Sequence, residues 1–285
     1  MKGRFAERFF KTDDGLTLYC RDYPAPTPSA PTVVCLHGLS RNSRDFQDLA
    51  PVLNERFRVV VPEQRGRGRS DYDTVTSRYN LMQYVHDTHA MLAEFDCDKI
   101  SVIGTSMGGL MAFALNALYP HVIQRLVIND IGPDINAAGL ERIQSYVGVA
   151  GPFADWEEAT AYVMSVSQSI FPDWQSAQWA TFARQCYVER GDRIVADYDP
   201  RIGEALASQE AGADSAVLWS LFDTLVDVPS LLIRGALTDL LSESCARAMQ
   251  SRAPRLELLT VPNVGHAPML TEADVPEAIL AFLSA

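Results

Sequence analysis

At 285 residues, with 47% apolar and 21% charged side chains, the chain has the composition of a globular protein able to bury one large α/β core, with or without an insertion. A formal net charge of −12 argues against electrostatic capture of nucleic acid or of an anionic membrane, and no uninterrupted apolar stretch of about 18 residues is present to span a bilayer. Residues 1–8 carry charges where a signal peptide would be apolar, so export is not expected. The cysteines, Cys20, Cys35, Cys97, Cys186 and Cys245, are odd in number and scattered, with no CxxC pair to hold zinc; they read as reduced thiols of a cytoplasmic protein.

Residues 4–11 and 16–21, separated by Thr12-Asp13-Asp14-Gly15, read as a hairpin forming an antiparallel edge. After a proline-rich connection, short continuous apolar runs at 32–36, 58–61 and 100–103 predict strands buried on both faces, hence a parallel sheet. Helical spacing in 43–56 (Phe46, Leu49, Ala50, Leu53) and in 80–95 (Leu81, Tyr84, Val85, Thr88, Met91, Leu92) supplies crossover helices. Runs at 125–129 and 230–234 extend the sheet, 256–261 completes it, and 272–283 gives a closing helix.

Between residue 130 and about residue 214 the pattern changes to helical segments dense in aromatics, among them Tyr146, Phe153, Tyr162, Trp179, Phe182 and Tyr187. About eighty residues between two strands are too many for a simple loop, so a helical cap over the strand ends is expected. Most of these aromatics should pack on one another and about a third should line a pocket; Trp156, Phe171 and Trp174 are the candidates. The resulting plan is a core over 1–131, a cap over 132–214 and the rest of the core over 215–285.

The run at 100–103 passes into Gly104-Thr105-Ser106-Met107-Gly108-Gly109 and then into a helical segment. This strand, sharp turn and helix fit the GxSxG pattern. Small residues let the backbone double back, which pushes the Ser106 hydroxyl over the sheet edge and sets the first helical N–H groups beside it. A serine hydroxyl needs a base, and the base needs a partner that fixes its tautomer. His266, in the Gly265-His266-Ala267-Pro268 loop after the last strand, is the candidate base. His86 and His89 lie on a helix around Asp87 with no HExxH pattern and read as solvated side chains rather than metal ligands.

Two carboxylates compete for the third place. Asp239, after the 230–234 run, is favoured; Asp130, ending the 125–129 run, is the alternative acid and otherwise a cap accepting backbone N–H bonds. In Leu36-His37-Gly38-Leu39, the glycine permits close approach of backbone to substrate, so the Leu39 and Met107 amides are candidate oxyanion donors, while His37 holds the loop through its ring. Arg41 either anchors a substrate carboxylate or carbonyl or pairs with Asp45. Gly66, Gly68 and the arginines of the 62–71 turn match neither GxGxxG nor a P-loop. That turn should be locked by arginine-to-carbonyl bonds and not bind a nucleotide.

Taken in order, His37-Gly38, the turn from Glu63 to Ser70, the Ser106 turn, Thr238-Asp239 and Gly265-His266 resemble the motifs of the α/β-hydrolase superfamily over nearly the whole chain apart from the cap. The resemblance implies an α/β fold with a mostly parallel central sheet flanked by helices and a helical cap acting as a lid. It further implies Ser106 as nucleophile, His266 as base, Asp239 as acid, and Leu39 and Met107 as oxyanion donors; the hydrolase expected from these residues needs neither cofactor nor metal. Enol-lactonases and small carboxylesterases look nearest, implying a small apolar ester or lactone cleaved through an acyl-enzyme.

Glu63 departs from the family's usual aspartate at a structural position, and Ser106 speaks against relatives that open epoxides or remove halides. Meta-cleavage C–C hydrolases usually carry HGxGPG where this chain has His37-Gly38-Leu39-Ser40-Arg41-Asn42. C–C cleavage, cofactor-free perhydrolysis and a non-catalytic ligand receptor on the same fold stay as alternatives, and the oligomeric state is left open.

Overall fold

A computed structural model describes residues 4–208 and 214–285; residues 1–3 of the charged start and 209–213 of the expected cap lie outside the described residues. Strands β1 (Ala6–Lys11) and β2 (Thr17–Tyr23) form the expected hairpin, turning at Gly15 with φ 89°. The apolar runs become β3 (Thr32–Leu36), β4 (Arg58–Pro62), β5 (Ile100–Thr105) and β6 (Ile123–Asn129), with α1 (Leu49–Leu53), α2 (Leu81–Glu94) and α3 (Met107–Leu118) between them. After β6 come α4 (Ala137–Tyr146), α5 (Trp156–Ser167), α6 (Ser176–Cys186), a hairpin of β7 (Tyr187–Arg190) and β8 (Arg193–Ala196), and α7 (Arg201–Ser208). The chain returns through α8 (Ser215–Asp223), β9 (Ser230–Gly235), α9 (Glu243–Arg252), β10 (Leu256–Val261) and α10 (Val275–Ser284).

The main sheet has eight strands in the order β1-β2-β4-β3-β5-β6-β9-β10, antiparallel where β2 meets β1 and β4 and parallel elsewhere. Successive side chains of a strand point to opposite faces, so each central strand feeds two apolar layers. Val34, Val60, Val102 and Leu126 belong to one layer with Met91 of α2 and Phe113 of α3; Val33, Val59, Ile103 and Val127 belong to the other with Leu53 of α1 and Ile279 of α10.

Two elements differ from the sequence reading. Residues 43–56 do not make one helix but a short tight turn of helix, Ser43–Phe46, followed by α1. Pro51 accounts for the break, since it has no N–H to offer the Gln47 carbonyl and its ring would crowd that carbonyl. The insertion after β6 contains the β7–β8 hairpin as well as helices; Gly191 at φ 64° makes its turn, and Val188, Ile194 and Val195 carry the β-branched character of its arms.

This insertion sits against the loops that follow β3 and β4. The Gly68 amide donates to the Asp197 carbonyl (2.9 Å), the Asp199 amide to the Gly66 carbonyl (2.7 Å), and Asn42 Nδ2 to the Gln185 carbonyl (3.0 Å). Arg44 pairs with Asp197 at 2.7 Å. It thereby lies at the C-terminal ends of the parallel strands, where open α/β sheets place their ligands. All five cysteines are free thiols, and among the described residues no helix is long and apolar enough to cross a membrane.

Candidate active site

Ser106 sits between β5 and α3 with φ 52° and ψ −115°, a strained conformation for a residue with a Cβ. Its amide donates to the Asn129 carbonyl of β6 (2.9 Å), and its carbonyl accepts from Gly109 (2.8 Å), so both flanks of the turn are pinned. The flanking glycines are required by close approach. A Cβ on Gly104 would lie 2.4 Å from the Gly108 carbonyl oxygen, and one on Gly108 would lie 2.2 Å from the Leu36 carbonyl oxygen.

His266, from the loop after β10, places Nε2 at 2.9 Å from Ser106 Oγ and Nδ1 at 2.9 Å from Asp130 Oδ2. An ionised carboxylate only accepts hydrogen bonds, so Nδ1 carries the imidazole proton and Nε2 is free to accept from the hydroxyl. Asp130 is fully buried and doubly held: Oδ1 accepts from the Gly235 amide (2.8 Å), and its own amide donates to the Ile233 carbonyl (2.8 Å). It therefore fulfils the expected capping role and also partners the histidine.

Asp239, the favoured acid from the sequence, is not the residue that the structure pairs with His266. Its carboxylate accepts from Arg142 Nε (2.5 Å) and Nη2 (2.8 Å), and that guanidinium holds its pKa below the usual carboxylate value. Packing explains the pairing. The backbone of α4 comes so close at Gly139 that a Cβ there would lie 2.7 Å from the Asp239 carbonyl oxygen, which brings Arg142 of the same helix onto the carboxylate. Asp130, by contrast, is the first residue beyond β6, the strand hydrogen-bonded directly to β5.

Leu39, Ser106 and Met107 border one cavity, which puts both candidate oxyanion residues beside the candidate nucleophile. Arg67, fully buried, ties them together from the turn after β4. Its Nε donates to the Leu39 carbonyl (2.9 Å), Nη1 to the Arg65 carbonyl (2.8 Å), Nη2 approaches Met107 Sδ (3.8 Å), and its guanidinium lies 4.5 Å from the Tyr84 ring centroid. The arginine-to-carbonyl lock expected for this turn holds for Arg67. Arg65, equally buried, instead binds the carboxylates of Asp14, Asp73 and Asp87 at 2.5–3.2 Å, a network the sequence reading missed.

His37 steadies the adjoining loop as expected. Its Nε2 accepts from the Gln64 amide (3.1 Å), its Nδ1 donates to the Gly38 carbonyl (2.7 Å), and burial pushes its pKa down to about 4. Glu63 accepts from the Ser43 hydroxyl (2.6 Å) and the Arg69 amide (2.7 Å), bracing the same pair of loops.

Two cavities meet at Ser106. One, of about 140 Å³, is bordered by His266 and by Tyr146, Tyr162, Phe182, Tyr187 and Tyr198; the other, of about 150 Å³, by Tyr84, Met107, Leu110, Leu140 and Ile202. Arg41 borders the first but is committed to Asp45 through Nε (3.0 and 3.1 Å) and Nη2 (2.5 Å). Its Nη1 contacts Cys186 Sγ, and its guanidinium lies 4.4 Å from the Phe182 ring centroid. Among the insertion candidates Phe171 borders this cavity. Trp174 stacks behind Phe171 at 3.8 Å and faces a separate groove, and Trp156 lies under Arg184 at 4.3 Å, so neither tryptophan lines the site as expected.

The imidazole of His89 stacks on Tyr119 at 3.6 Å, and among the described residues no group of three or more His, Cys, Asp or Glu is placed to hold a metal ion.

Residues 31–273 match the family model of the alpha/beta hydrolase fold. The chain is 35% identical over 253 residues, 86% of each protein, to the 3-hydroxybutyrate-oligomer hydrolase of Cupriavidus necator. It is 26% identical over 245 residues, 84% of this chain and 82% of the relative, to the 2-(acetamidomethylene)succinate hydrolase of Mesorhizobium japonicum. The crystal structure of an alpha/beta hydrolase from Novosphingobium aromaticivorans superposes with a TM-score of 0.94 at 40% identity, covering 100% of this chain and 99% of that one. With the strained serine turn already in place on an eight-stranded, mostly parallel sheet, these matches over most of the chain establish that the protein belongs to the α/β-hydrolase family and is a hydrolase.

Proposed function

We propose that this hydrolase cleaves a carboxylic ester or lactone through an acyl-enzyme on Ser106, with His266 as general base and acid and Asp130 as its partner. The observation that carries the reading is the chain of two 2.9 Å hydrogen bonds from Asp130 through His266 to the Ser106 hydroxyl. His266 Nε2 takes the hydroxyl proton as Oγ attacks the carbonyl carbon. Asp130 stabilises the imidazolium that forms, and the backbone amides of Leu39 and Met107 receive the oxyanion. The imidazolium then returns its proton to the leaving oxygen, the C–O bond breaks, and a water deprotonated by His266 releases the acid by the reverse sequence.

The relative named for 3-hydroxybutyrate oligomers favours an ester. The name of the 26% identical 2-(acetamidomethylene)succinate hydrolase keeps a non-ester bond as the second reading, through the same three residues. We take the insertion after β6 as the lid of the site and a small, largely apolar ester or lactone as its substrate. The test is turnover of short p-nitrophenyl esters by the wild type and by Ser106→Ala. A loss of about a millionfold in kcat is expected, typical of a nucleophilic serine, and undiminished turnover by the variant contradicts the reading.

A further inference from the structure

We infer that the two cavities divide the substrate between them: the aliphatic cavity takes the acyl group and the aromatic cavity takes the alcohol. The assignment rests on the ester-hydrolase reading and names which side of the ester each wall selects. At the tetrahedral stage the reacting carbon carries Ser106 Oγ, the oxyanion, the leaving oxygen and the acyl chain. The leaving oxygen must lie within hydrogen-bond reach of the group that protonates it, which is His266 Nε2. His266 borders only the aromatic cavity, so the alcohol leaves on that side. The direction left to the acyl chain is the aliphatic cavity, which Ser106 and both candidate oxyanion residues also border.

The chemistry of the walls follows that division. The acyl side is lined mainly by Leu110, Leu140, Ile202 and Leu240, beside Tyr84 and beside Tyr79, whose hydroxyl donates to Asp199 at 2.6 Å. A cavity of about 150 Å³ accommodates a benzene-sized group, on the order of six non-hydrogen atoms. The substrate class is thus an ester of a short aliphatic acid. The alcohol lies among the rings of Tyr146, Tyr162 and Tyr187, whose broad faces offer it aromatic contact.

Two substitutions separate the sides. Leu140, on α4, borders only the aliphatic cavity, and Val166, on α5, borders only the aromatic one; both are partly exposed, so each can enlarge without entering the core. Leu140→Trp and Val166→Trp are compared with the wild type on p-nitrophenyl acetate, butanoate and hexanoate, and on acetates of small and large alcohols. For Leu140→Trp the hexanoate-to-acetate ratio of kcat/KM should fall by about tenfold or more, the effect of a methylene or two in a fitted pocket, with the alcohol ratio moving by less than about threefold. Val166→Trp should show the converse. Selection of alcohols by Leu140→Trp, or of acyl chains by Val166→Trp, overturns the assignment. A wild type that cleaves none of these esters contradicts the function on which it rests, a result distinct from cleavage with the selectivities reversed.

Discussion

Asp130 and Asp239 both lie past the C-terminal ends of sheet strands, and they are separated by what else each can reach. Asp130 finds the Gly235 amide and the His266 ring; Asp239 finds Arg142. Asp130→Asn should therefore lower kcat for a p-nitrophenyl ester by about 10³–10⁴-fold, as when a triad carboxylate ceases to fix the tautomer of its histidine. Asp239→Asn should stay within about tenfold of wild type, measured as kcat/KM on the same ester, because it removes a partner of Arg142 and not of the imidazole. The reverse order of effects would restore Asp239 as the acid.

Ser106 and His266 were legible in the sequence because each announces itself within a few residues, the serine by flanking glycines and the histidine by a loop after the last strand. The carboxylate that pairs with His266 was not, because Asp130 and Asp239 satisfy the same spacing. The deciding cation, Arg142, comes from a helix whose facing depends on tertiary packing at Gly139.

The turn after β4 and the loop after β3 behave as one braced unit around Ser106. Arg65 holds the buried carboxylates of Asp73 and Asp87 and reaches Asp14 at the surface, and removing the cation from such a buried group costs on the order of 3–5 kcal/mol. His37 adds a pH dependence to the same unit. Unfolded, its imidazole binds a proton near pH 6.5; folded, only near pH 4, so the unfolded state binds more protons between those values and stability rises with pH there. The contribution is complete above about pH 6.5 and lost as the pH falls toward 4. Between pH 7 and about 4.5 this one group should withdraw roughly 2–3 kcal/mol. Urea unfolding at both pH values should show His37→Gln losing less stability than the wild type over that interval, and equal losses would show that the ring titrates normally in the fold.

At this scale the elements with strong periodicity, α2 above all, were readable. The β7–β8 hairpin was not, because its aromatic neighbours matched the helical texture of the insertion and only Gly191 marked the turn. The segment that leaves that hairpin is held by contacts of Asp197 and Asp199 with Gly68 and Gly66, far away in sequence.

Over the whole molecule, the order of the strands follows from continuous apolar runs that can only be buried on both faces, so the fold class was legible from composition and spacing together. The division of the space above the sheet was not. It depends on which aromatics of the insertion turn inward, and Trp156 and Trp174 turn to Arg184 and Phe171 while Tyr146, Tyr162 and Tyr187 border the cavity. In the proposed mechanism the parts meet at a hydroxyl held by strain over the sheet edge and activated by a histidine contributed after the last strand. Treatment with a fluorophosphonate, followed by mass analysis of the peptides, tests that claim most directly. The account predicts one equivalent of adduct on the peptide bearing Ser106 and a labelling rate lower by about 10³-fold or more in His266→Ala. An unlabelled wild type under conditions that modify another serine esterase, or an unchanged rate in the histidine variant, would contradict it.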